Sequence, residues 1–296
     1  MQHAKVPVSD LTGVSETLLI PLIARAQART CFPDLGFADP AAERVLSQLD
    51  VDPDRFGQHI PTLRGAIIRA RAFDRIAAAF AAAHPGGLAV SLGAGLDTRA
   101  DRVAAGGLAW ADVDLPAVAA LRGRLLPADG NRRLVAGSVT DPAWAAQIGW
   151  EPGRPVLLIA EAVLIYLHPA EVRALLSGLG GQFPTGAQIA LDYGAPLMIR
   201  NSSRHPGLKN TDARFCWSAR GARRIARLHP RLRALADRNL AGSAVMPGRR
   251  GRVLAAASHA LRTTTGGWLY GLAHLAVQPA PDGASVRAGG PGAGSE

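Results

Sequence analysis

Residues 90–99 read VSLGAGLDTR, an apolar run that ends in a tight glycine turn. The letters LAVSL (88–92) are typical of a short buried strand. Gly93 and Gly95 carry no side chain, so the backbone can turn sharply there and approach a ligand closely. The stretch therefore predicts a strand, a ligand-holding turn and the start of a helix, and it leaves open which ligand is held.

Three kinds of ligand use a similar turn: a dinucleotide, a phosphate group and a methyl-donating nucleoside. The dinucleotide fingerprint G-x-G-x-x-G needs a third glycine, but Thr98 stands there, and Asp97 would repel a pyrophosphate. The G-K-[ST] of a phosphate loop is absent from the sequence after this turn. S-adenosylmethionine has no phosphate, and its hydroxyls, ammonium and carboxylate suit acidic groups, backbone N–H groups and arginine. The turn therefore favours S-adenosylmethionine.

Strand and helix patterns alternate along the chain around this turn. Strands are predicted at 88–92, 108–114, 132–139, from 155, at 188–194, and less clearly at 231–240 and 268–277. Helices are predicted at 63–83, after the turn to about 105, at 116–126, from 169 and at 251–262. This rhythm predicts an α/β fold with a doubly wound parallel sheet, in which ligands bind at the carboxyl ends of the strands.

The residues that precede the sheet predict further helices. Ser15 is a candidate cap for a helix within 11–30, and Asp39-Pro40 marks the turn that begins a helical segment within 39–60. These segments lie before the first strand, so they would add a helical layer to the sheet.

Length and composition fit one large domain. The chain has 296 residues, of which 48% are hydrophobic and 19% charged, so it can bury a sizeable core. We expect one domain over 1–277 that includes a helical cap at about 10–65. The Gly/Pro/Ser-rich residues 278–296 predict a disordered tail.

Cysteine content and apolar patterning indicate the compartment. Cys31 and Cys216 lie far apart in sequence, which suits a reducing environment. The first residues show no secretion-signal pattern, and the longest apolar stretch (156–167) is too short to span a bilayer and contains Glu161. We therefore expect a soluble, cytoplasmic protein.

The positive charge is unevenly distributed. The formal net charge is +10, and residues 200–262 alone carry a net charge of +13. Such a region is typical of a surface that meets nucleic acid or an acidic substrate, or of a solvated arginine-rich face. The sequence leaves these interpretations open.

Acidic residues stand at the predicted ends of two further strands. Asp112 and Asp114 follow the glycine turn by about twenty residues, where a nucleoside ribose needs a partner. Glu161 ends the fourth strand, and a buried carboxylate there needs a partner because an unpaired buried charge is costly. That partner is either the ammonium of the ligand or an arginine.

Three motifs resemble the leucine carboxyl methyltransferase family: LGAGLDTR (92–99), DVDLP (112–116) and AEAVLIYL (160–167). GVSETLLIPLIARA (13–26), GSVTDPAW (137–144) and RHPGLKNTDARFCW (204–217) resemble its bacterial branch of tetracenomycin-type polyketide O-methyltransferases. The resemblance spans about residues 10–277. It implies a class I methyltransferase fold, with a seven-stranded sheet whose last strand is reversed and with N-terminal helices that cap the cofactor.

The resemblance also implies which residues bind S-adenosylmethionine. Asp114 and Asp112 would bind the ribose, Glu161 would face the methionine end, and either Arg69 or Arg71 would take the methionine carboxylate. The full implied set is Arg25, Arg69, Arg71, Gly93, Ala94, Gly95, Asp97, Asp112, Asp114, Leu115, Ser138, Val139, Glu161 and Ala162. Many relatives have Asp-Leu where this chain has Ser138-Val139, so the serine hydroxyl, with Asp141 nearby, would replace an adenine contact.

The resemblance implies a methyl acceptor that is a carboxylate or a phenolic hydroxyl of a small molecule, for example of polyketide type. A carboxylate is already ionised and needs no base, whereas a phenol needs one. The candidate catalytic residues are Tyr166 and Tyr193, and the other candidate bases are His168, His205 or a carboxylate. The candidate acceptor-binding residues are Arg204, Lys209, Phe215 and Trp217. No metal-ligand spacing such as H-E-x-x-H appears, so we expect no metal.

Two alternatives to a small-molecule enzyme remain at this stage. A nucleic-acid methyltransferase would use the basic residues 200–262, but an Asn/Asp-Pro-Pro-aromatic motif is absent after the fourth strand, so nucleic acid is the less favoured partner. A non-catalytic protein that binds the cofactor is the other alternative. Turnover on an acceptor distinguishes it from an enzyme.

Overall fold

The central sheet has seven strands in the computed structural model, which describes residues 5–54, 59–103, 107–127, 130–202, 208, 211–242 and 245–280. The strands are β1 (Leu88–Leu92), β2 (Ala109–Asp114), β3 (Arg132–Ala136), β4 (Val156–Ala160), β5 (Ala187–Gly194), β6 (Leu232–Asn239) and β7 (Tyr270–Val277). A separate pair of two-residue parallel strands joins Val6–Pro7 to Leu49–Asp50.

The strand order across the sheet is β3-β2-β1-β4-β5-β7-β6. Strands β1 to β5 pair in parallel, and β7 runs antiparallel to both β5 and β6. The predicted doubly wound sheet with a reversed last strand is therefore confirmed. The order changes direction between β1 and β4, which creates a crevice at the carboxyl ends of these strands.

Ten α-helices are described around the sheet: α1 (Leu19–Ala26), α2 (Ala28–Cys31), α3 (Pro40–Gln48), α4 (Ile60–Ala83), α5 (Arg99–Arg102), α6 (Pro116–Leu125), α7 (Pro169–Gln182), α8 (Pro196–Arg200), α9 (Ala222–Ala226) and α10 (Arg249–Thr265). Short 3-10 turns lie at Ser15–Leu18, Pro33–Leu35, Pro142–Ala146 and Leu164–Tyr166. Because helices cover both faces, strand β1 is buried along its whole length.

The N-terminal helices form a second apolar cluster beside the sheet. Leu22 and Ile23 of α1 are fully buried and pack with Ile67 of α4 and Val45 of α3. Helix α3 begins after Asp39, whose carboxylate accepts the Ala42 N–H at 2.9 Å. The helical segments predicted before the first strand therefore exist and cover one end of the sheet.

Ser15 does not cap a helix as predicted. It lies inside the 3-10 turn Ser15–Leu18, and no side chain caps that turn or α1. Pro21 falls in the first turn of α1, where its missing N–H removes no intrahelical hydrogen bond.

Two predicted elements are shorter in the structure. The helix after the glycine turn ends at Arg102, before the predicted end near 105, and residues 104–106 lie outside the described part. Strand β3 ends at Ala136, because the next residues turn back at 138–141. Of the predicted tail, residues 281–296 lie outside the described residues.

No helix among the described residues is both long enough and apolar enough to cross a membrane.

Candidate functional site

A cavity of about 810 Å³ opens at the carboxyl ends of β1, β2 and β4. The glycine turn forms one wall, and residues from α1, α4 and the 3-10 turn before α1 form the opposite wall. This volume lies in the range of small-molecule and cofactor sites. The cavity therefore occupies the place where a doubly wound sheet binds its ligands.

The glycine turn has the close approach that its sequence predicts. Gly93 has a φ of +66°, and a Cβ placed on it would lie 2.5 Å from Cγ2 of Val163. The N–H groups of Gly93 and Ala94 both donate to the Val113 carbonyl, at 2.8 and 3.2 Å. Hydrogen bonds to β2 thus hold the turn in place. At Gly93 and Gly95 no side chain separates the backbone from a ligand.

Asp114 joins the end of β2 to this turn. Its Oδ2 accepts the Gly95 N–H at 2.6 Å, and its Oδ1 accepts the Leu115 N–H at 2.7 Å. Burial raises the pKa of the Asp114 carboxyl, although these two N–H groups act in the opposite direction. Each oxygen keeps a further lone pair, so the carboxylate can accept hydrogen bonds from a ribose diol.

Asp112 does not line the cavity, contrary to the predicted ribose contact. It is 4% exposed, and its Oδ2 accepts hydrogen bonds from Nη2 and Nε of Arg122, at 2.6 and 3.0 Å. Arg122 in turn donates to the carbonyls of Gly95 and Asp97, at 3.1 and 2.7 Å. Asp112 therefore stabilises the glycine turn indirectly, because it holds the Arg122 side chain that donates to the turn.

Arg99 connects three carboxylates in the wall of the cavity. Its Nε donates to Asp74 at 2.8 Å, and its two terminal nitrogens bond to Asp97 and Glu161. Burial lowers the pKa of the Arg99 guanidinium, but the three carboxylates outweigh this effect and raise it. Burial raises the pKa of the Asp97 carboxyl, but the positive charges of Arg99 and Arg102 lower it further, so this pKa lies far below its ordinary value. Arg99 and Asp97 are therefore both charged at neutral pH.

Glu161 has arginine partners, which answers the question left open by its sequence position. Arg69 Nε donates to Glu161 Oε1 at 2.9 Å, and Arg99 holds the other oxygen. Burial raises the pKa of Glu161, but Arg99 and Arg69 lower it further, so the net shift is downward. An ammonium group of a ligand would therefore share this carboxylate with two guanidinium groups.

The backbone after Glu161 is held in an unusual conformation. Ala162 has a φ of +54°, which is uncommon for a residue with a side chain. Its N–H donates to Oδ1 of the fully buried Asp192 at 2.7 Å, and Asp192 also accepts the hydroxyl of Tyr270. This bond stabilises the turn that places Glu161 and Tyr166 at the cavity.

The structure distinguishes between the two candidate arginines of α4. Arg69 lines the cavity and donates to Tyr270 Oη at 3.0 Å as well as to Glu161. Arg71 points away from it and donates to the Leu35 carbonyl, because two residues along a helix turn a side chain to the other face. Of the two candidates, Arg69 is the one that lines the cavity.

Arg25 lines the cavity and connects the N-terminal helices to the turn. Its Nη2 donates to the Leu96 carbonyl at 2.8 Å, and its Nε bonds to the fully buried Asp39 at 3.2 Å. Asp39 also accepts from Thr98 and Arg102, both at 2.5 Å. One buried carboxylate thus joins α1, α3 and the glycine turn.

Ser138 and Val139 line the cavity as predicted, at the end of β3. The Ser138 hydroxyl is 2.7 Å from that of Thr140, which also lines the cavity. Asp141 instead accepts the Ala143 N–H at 2.9 Å and begins a 3-10 turn outside the cavity wall. Two hydroxyls, with Leu115 half exposed nearby, form this end of the site.

Only one of the two candidate catalytic tyrosines reaches the cavity. Tyr166 lines it, and burial raises the pKa of its hydroxyl. Tyr193 is fully buried in the core, where its hydroxyl donates to Asp237 at 2.7 Å and accepts the Trp268 N–H at 3.2 Å. Tyr193 is therefore a core residue, and the prediction that it is catalytic is not supported by its position.

The two candidate histidine bases are not in the described cavity wall. His168 is exposed, and its backbone N–H donates to Glu171 at 2.7 Å, at the start of α7. His205 lies outside the described residues.

The far side of the cavity is apolar. Phe215 lines it as predicted, and its ring centroid lies 5.4 Å from that of Tyr166. Trp217 packs instead in the main core cluster, at 6% exposure. Arg204 and Lys209 lie outside the described residues. Further apolar residues of this wall are Leu197, Met198, Leu208, Leu240, Val245, Met246 and Leu254.

Several cavity residues were not predicted from sequence. Arg99 lies in the LDTR motif between Asp97 and Asp101, and this position in a predicted ligand-binding turn could have identified it as a site residue. Tyr270 and His59 also line the cavity, but each is isolated in sequence from any motif. Their positions depend on how β7 and α4 pack, which the local sequence does not specify.

Comparisons with known proteins agree with this geometry. The family model described as leucine carboxyl methyltransferase matches residues 18–180. The tetracenomycin polyketide synthesis O-methyltransferase of Streptomyces glaucescens is 36% identical over 225 residues, which cover 75% of this chain and 82% of that protein. An S-adenosyl-L-methionine-dependent methyltransferase of Gibberella zeae is 29% identical over 227 residues, covering 70% and 76% of the two chains.

A structural comparison supports the fold alone. A solved protein of Thermobifida fusca, assigned as a methyltransferase, superposes with a TM-score of 0.54 at 12% identity. The match covers 92% of this chain and 97% of that chain. Together these comparisons confirm the predicted family resemblance, fold class and cofactor.

Proposed function

The chain belongs to the leucine carboxyl methyltransferase family of S-adenosylmethionine-dependent enzymes, and we propose that it methylates a carboxylate oxygen of a flat, largely apolar acceptor. The observation that carries this choice of acceptor is the lack of a suitable base among the described residues that line the cavity. A carboxylate needs no base, because it is already ionised at neutral pH.

The titratable groups of the described wall that are candidate bases are occupied or have the wrong protonation state. His59 Nδ1 accepts the Thr62 N–H, and Asp114 accepts the N–H groups of Gly95 and Leu115. Burial raises the pKa of Tyr166 and of Tyr270, so both hydroxyls keep their protons. Glu161 and Asp97 are paired with arginines. Glu171 accepts the His168 N–H, and carboxylates in general are about six pKa units less basic than a phenolate. None of these groups suits the removal of a phenol proton.

The shape and chemistry of the far wall support a flat acceptor. Phe215 and Tyr166 present aromatic rings, while Met198 and Met246 add polarisable thioethers that pack well against rings. The relative from Streptomyces glaucescens is named for the synthesis of a polyketide, tetracenomycin. An aromatic polyketide-type acid is the acceptor class that these surfaces favour.

The residues around the turn fit S-adenosylmethionine. The Asp114 carboxylate would accept from the ribose hydroxyls, and Arg69 would hold the methionine carboxylate. The guanidinium groups of Arg25, Arg69 and Arg99 and the carboxylates of Asp97 and Glu161 line the cavity and form its charged wall. Asp39, Asp74 and Arg102 pair with these groups from outside the lining. This balance of charge suits a zwitterionic amino-acid end, because groups of both signs are present.

When bound, S-adenosylmethionine supplies an electrophilic methyl group. The chain itself contributes position and exclusion of water. Tyr166 lies in the 3-10 turn Leu164–Tyr166 that follows β4, where it lines the cavity and contacts Phe215, so it would orient the acceptor oxygen. Holding two reactants in such a geometry supplies roughly 7–11 kcal/mol of barrier reduction.

A small-molecule acceptor fits this site better than nucleic acid. Some arginines of the basic region bind within the protein: Arg231 donates to the Pro184 carbonyl at 3.1 Å, and Arg262 pairs with Asp237 at 3.3 Å. The single domain over 1–277, the cytoplasmic location and the minor role of nucleic acid stay predictions.

A competition assay tests the proposed acceptor. The wild-type enzyme is incubated with methyl-labelled S-adenosylmethionine and equal amounts of 2-naphthoate and 2-naphthol, and the products are separated by mass spectrometry. We expect the methyl ester of the naphthoate to exceed the methyl ether of the naphthol by at least tenfold, because the phenol lacks a base.

The matched control is a Tyr166→Phe variant, which keeps the ring and removes the hydroxyl. It should lose rate with both compounds and keep the preference for the carboxylate, because the hydroxyl orients and does not ionise. Methylation of 2-naphthol alone, or a preference that reverses in the variant, would contradict the proposed acceptor.

A further inference from the structure

His59 lines the cavity at the start of α4, where its ring caps the helix. Its Nδ1 accepts the Thr62 N–H at 3.3 Å and lies 2.7 Å from the Thr62 hydroxyl. The Thr62 N–H also donates to the His59 carbonyl at 2.9 Å, so it is shared between two acceptors. This pattern is that of a helix N-cap in which the imidazole nitrogen replaces a side-chain oxygen.

The cap favours one of the two neutral tautomers of the ring. A backbone N–H can only donate, so the Nδ1 that it approaches must offer a lone pair. A neutral imidazole with a bare Nδ1 carries its proton on Nε2. Burial lowers the pKa of His59, which favours the neutral ring. In this tautomer His59 has a hydrogen-bond donor at Nε2 and no free acceptor, so it does not act as a base.

His59 lies far from the methionine-binding end of the cavity. It precedes Arg69 by ten residues, which corresponds to about 15 Å along the helix axis. A Cβ placed on Gly65, between them, would lie 3.8 Å from Cγ1 of Val245 in the apolar wall. The His59 end of α4 thus lies away from Arg69, on the side of the cavity that Val245 also lines.

We infer that His59 is a specificity residue that donates from Nε2 to a carbonyl or hydroxyl oxygen on the distal ring of the acceptor. The acceptor is then an aromatic acid of at least two rings, with its carboxylate beside Tyr166 and an oxygen at the opposite end. This inference rests on the proposed carboxylate methylation. It adds the length of the acceptor and its second polar group.

A pair of ligands that differ by one oxygen tests this role. Calorimetry measures the affinity of 6-hydroxy-2-naphthoate and of 2-naphthoate for the enzyme saturated with S-adenosylhomocysteine. The wild type should bind the hydroxylated acid about fivefold more tightly, the gain of one buried hydrogen bond. The His59→Ser variant keeps a capping oxygen and removes the ring donor, so it should bind both acids equally.

Two further variants separate donation from structure. His59→Gln keeps an N–H at a similar reach and should retain the preference for 6-hydroxy-2-naphthoate. His168→Ser removes an exposed histidine outside the cavity wall and should behave as the wild type. If the His59→Ser variant kept the full preference, the proposed role of His59 would be wrong, whereas the proposed acceptor class would stand.

Failure of the proposed function has a different signature. If the wild type binds S-adenosylhomocysteine but neither naphthoate, the proposed acceptor class is wrong, and the distal role of His59 falls with it. Independently of any acceptor, nitrogen-15 NMR at pH 7.5 should show His59 as the neutral Nε2–H tautomer. A ring protonated at Nδ1 would also overturn the assignment.

Discussion

Replacing Arg99 by methionine is expected to lower the free energy of unfolding by about 3–5 kcal/mol, the range for breaking a buried ion pair. The guanidinium is 1% exposed and pairs with Asp74, Asp97 and Glu161. Methionine fills much of the same volume but leaves these carboxylates short of positive charge in a buried site. Urea denaturation followed by circular dichroism measures the change.

An exposed ion pair provides the matched control for Arg99. Arg29 pairs with Glu43 at 3.2 Å, and its side chain is 66% exposed. The Arg29→Met variant should change the free energy of unfolding by less than about 1 kcal/mol, because solvent screens exposed pairs. Equal effects of the two variants would show that the Arg99 network does not stabilise the fold.

Gly93→Ala is expected to weaken S-adenosylhomocysteine binding by at least tenfold and to destabilise the fold by about 2–3 kcal/mol. The new methyl group would meet Val163 Cγ2 at 2.5 Å, and the branched valine has little freedom to move away. The φ of +66° adds a cost of about 1 kcal/mol for any residue with a Cβ. Calorimetry and urea denaturation measure the two effects.

Two further variants separate the conformational cost of Gly93→Ala from the cost of its clash with Val163. Gly86 has a φ of +77° with no atom within 4 Å of a notional Cβ, so Gly86→Ala measures the conformational cost alone. The double variant Gly93→Ala/Val163→Ala removes the clash and should recover more than half of the lost stability. Independent, additive effects of the two substitutions would contradict a direct contact.

Much of the fold was predictable because its signals are local. Apolar runs bounded by glycine and proline located β1 and β2 to within a residue, and Pro116 and Pro169 marked the starts of α6 and α7. The start of α1 was predicted wrongly, because Ser15 resembles a cap in sequence. In the structure Ser15 is instead the first residue of the 3-10 turn that precedes α1.

The site was predictable where strand ends bring residues together. Asp114 and Glu161 end β2 and β4, whose neighbour β1 lies between them, so their approach to the turn follows from the strand order. The partners of Glu161 were not predictable, because Arg69 is 92 residues away and arrives on a helix. Tyr193 was predicted to lie at the site but is buried in the core, because a position on a strand does not reveal which face of the sheet meets the cavity.

Binding of S-adenosylhomocysteine to the Asp114 carboxylate is the central claim, and calorimetry tests it most directly. The wild type should bind this compound and not NAD, and Asp114→Asn should weaken the affinity by at least tenfold through the loss of charged hydrogen bonds. Asp141→Asn, which keeps its exposed cap, should bind as the wild type does. Unchanged affinity in Asp114→Asn, or binding of NAD in place of S-adenosylhomocysteine, would contradict the account.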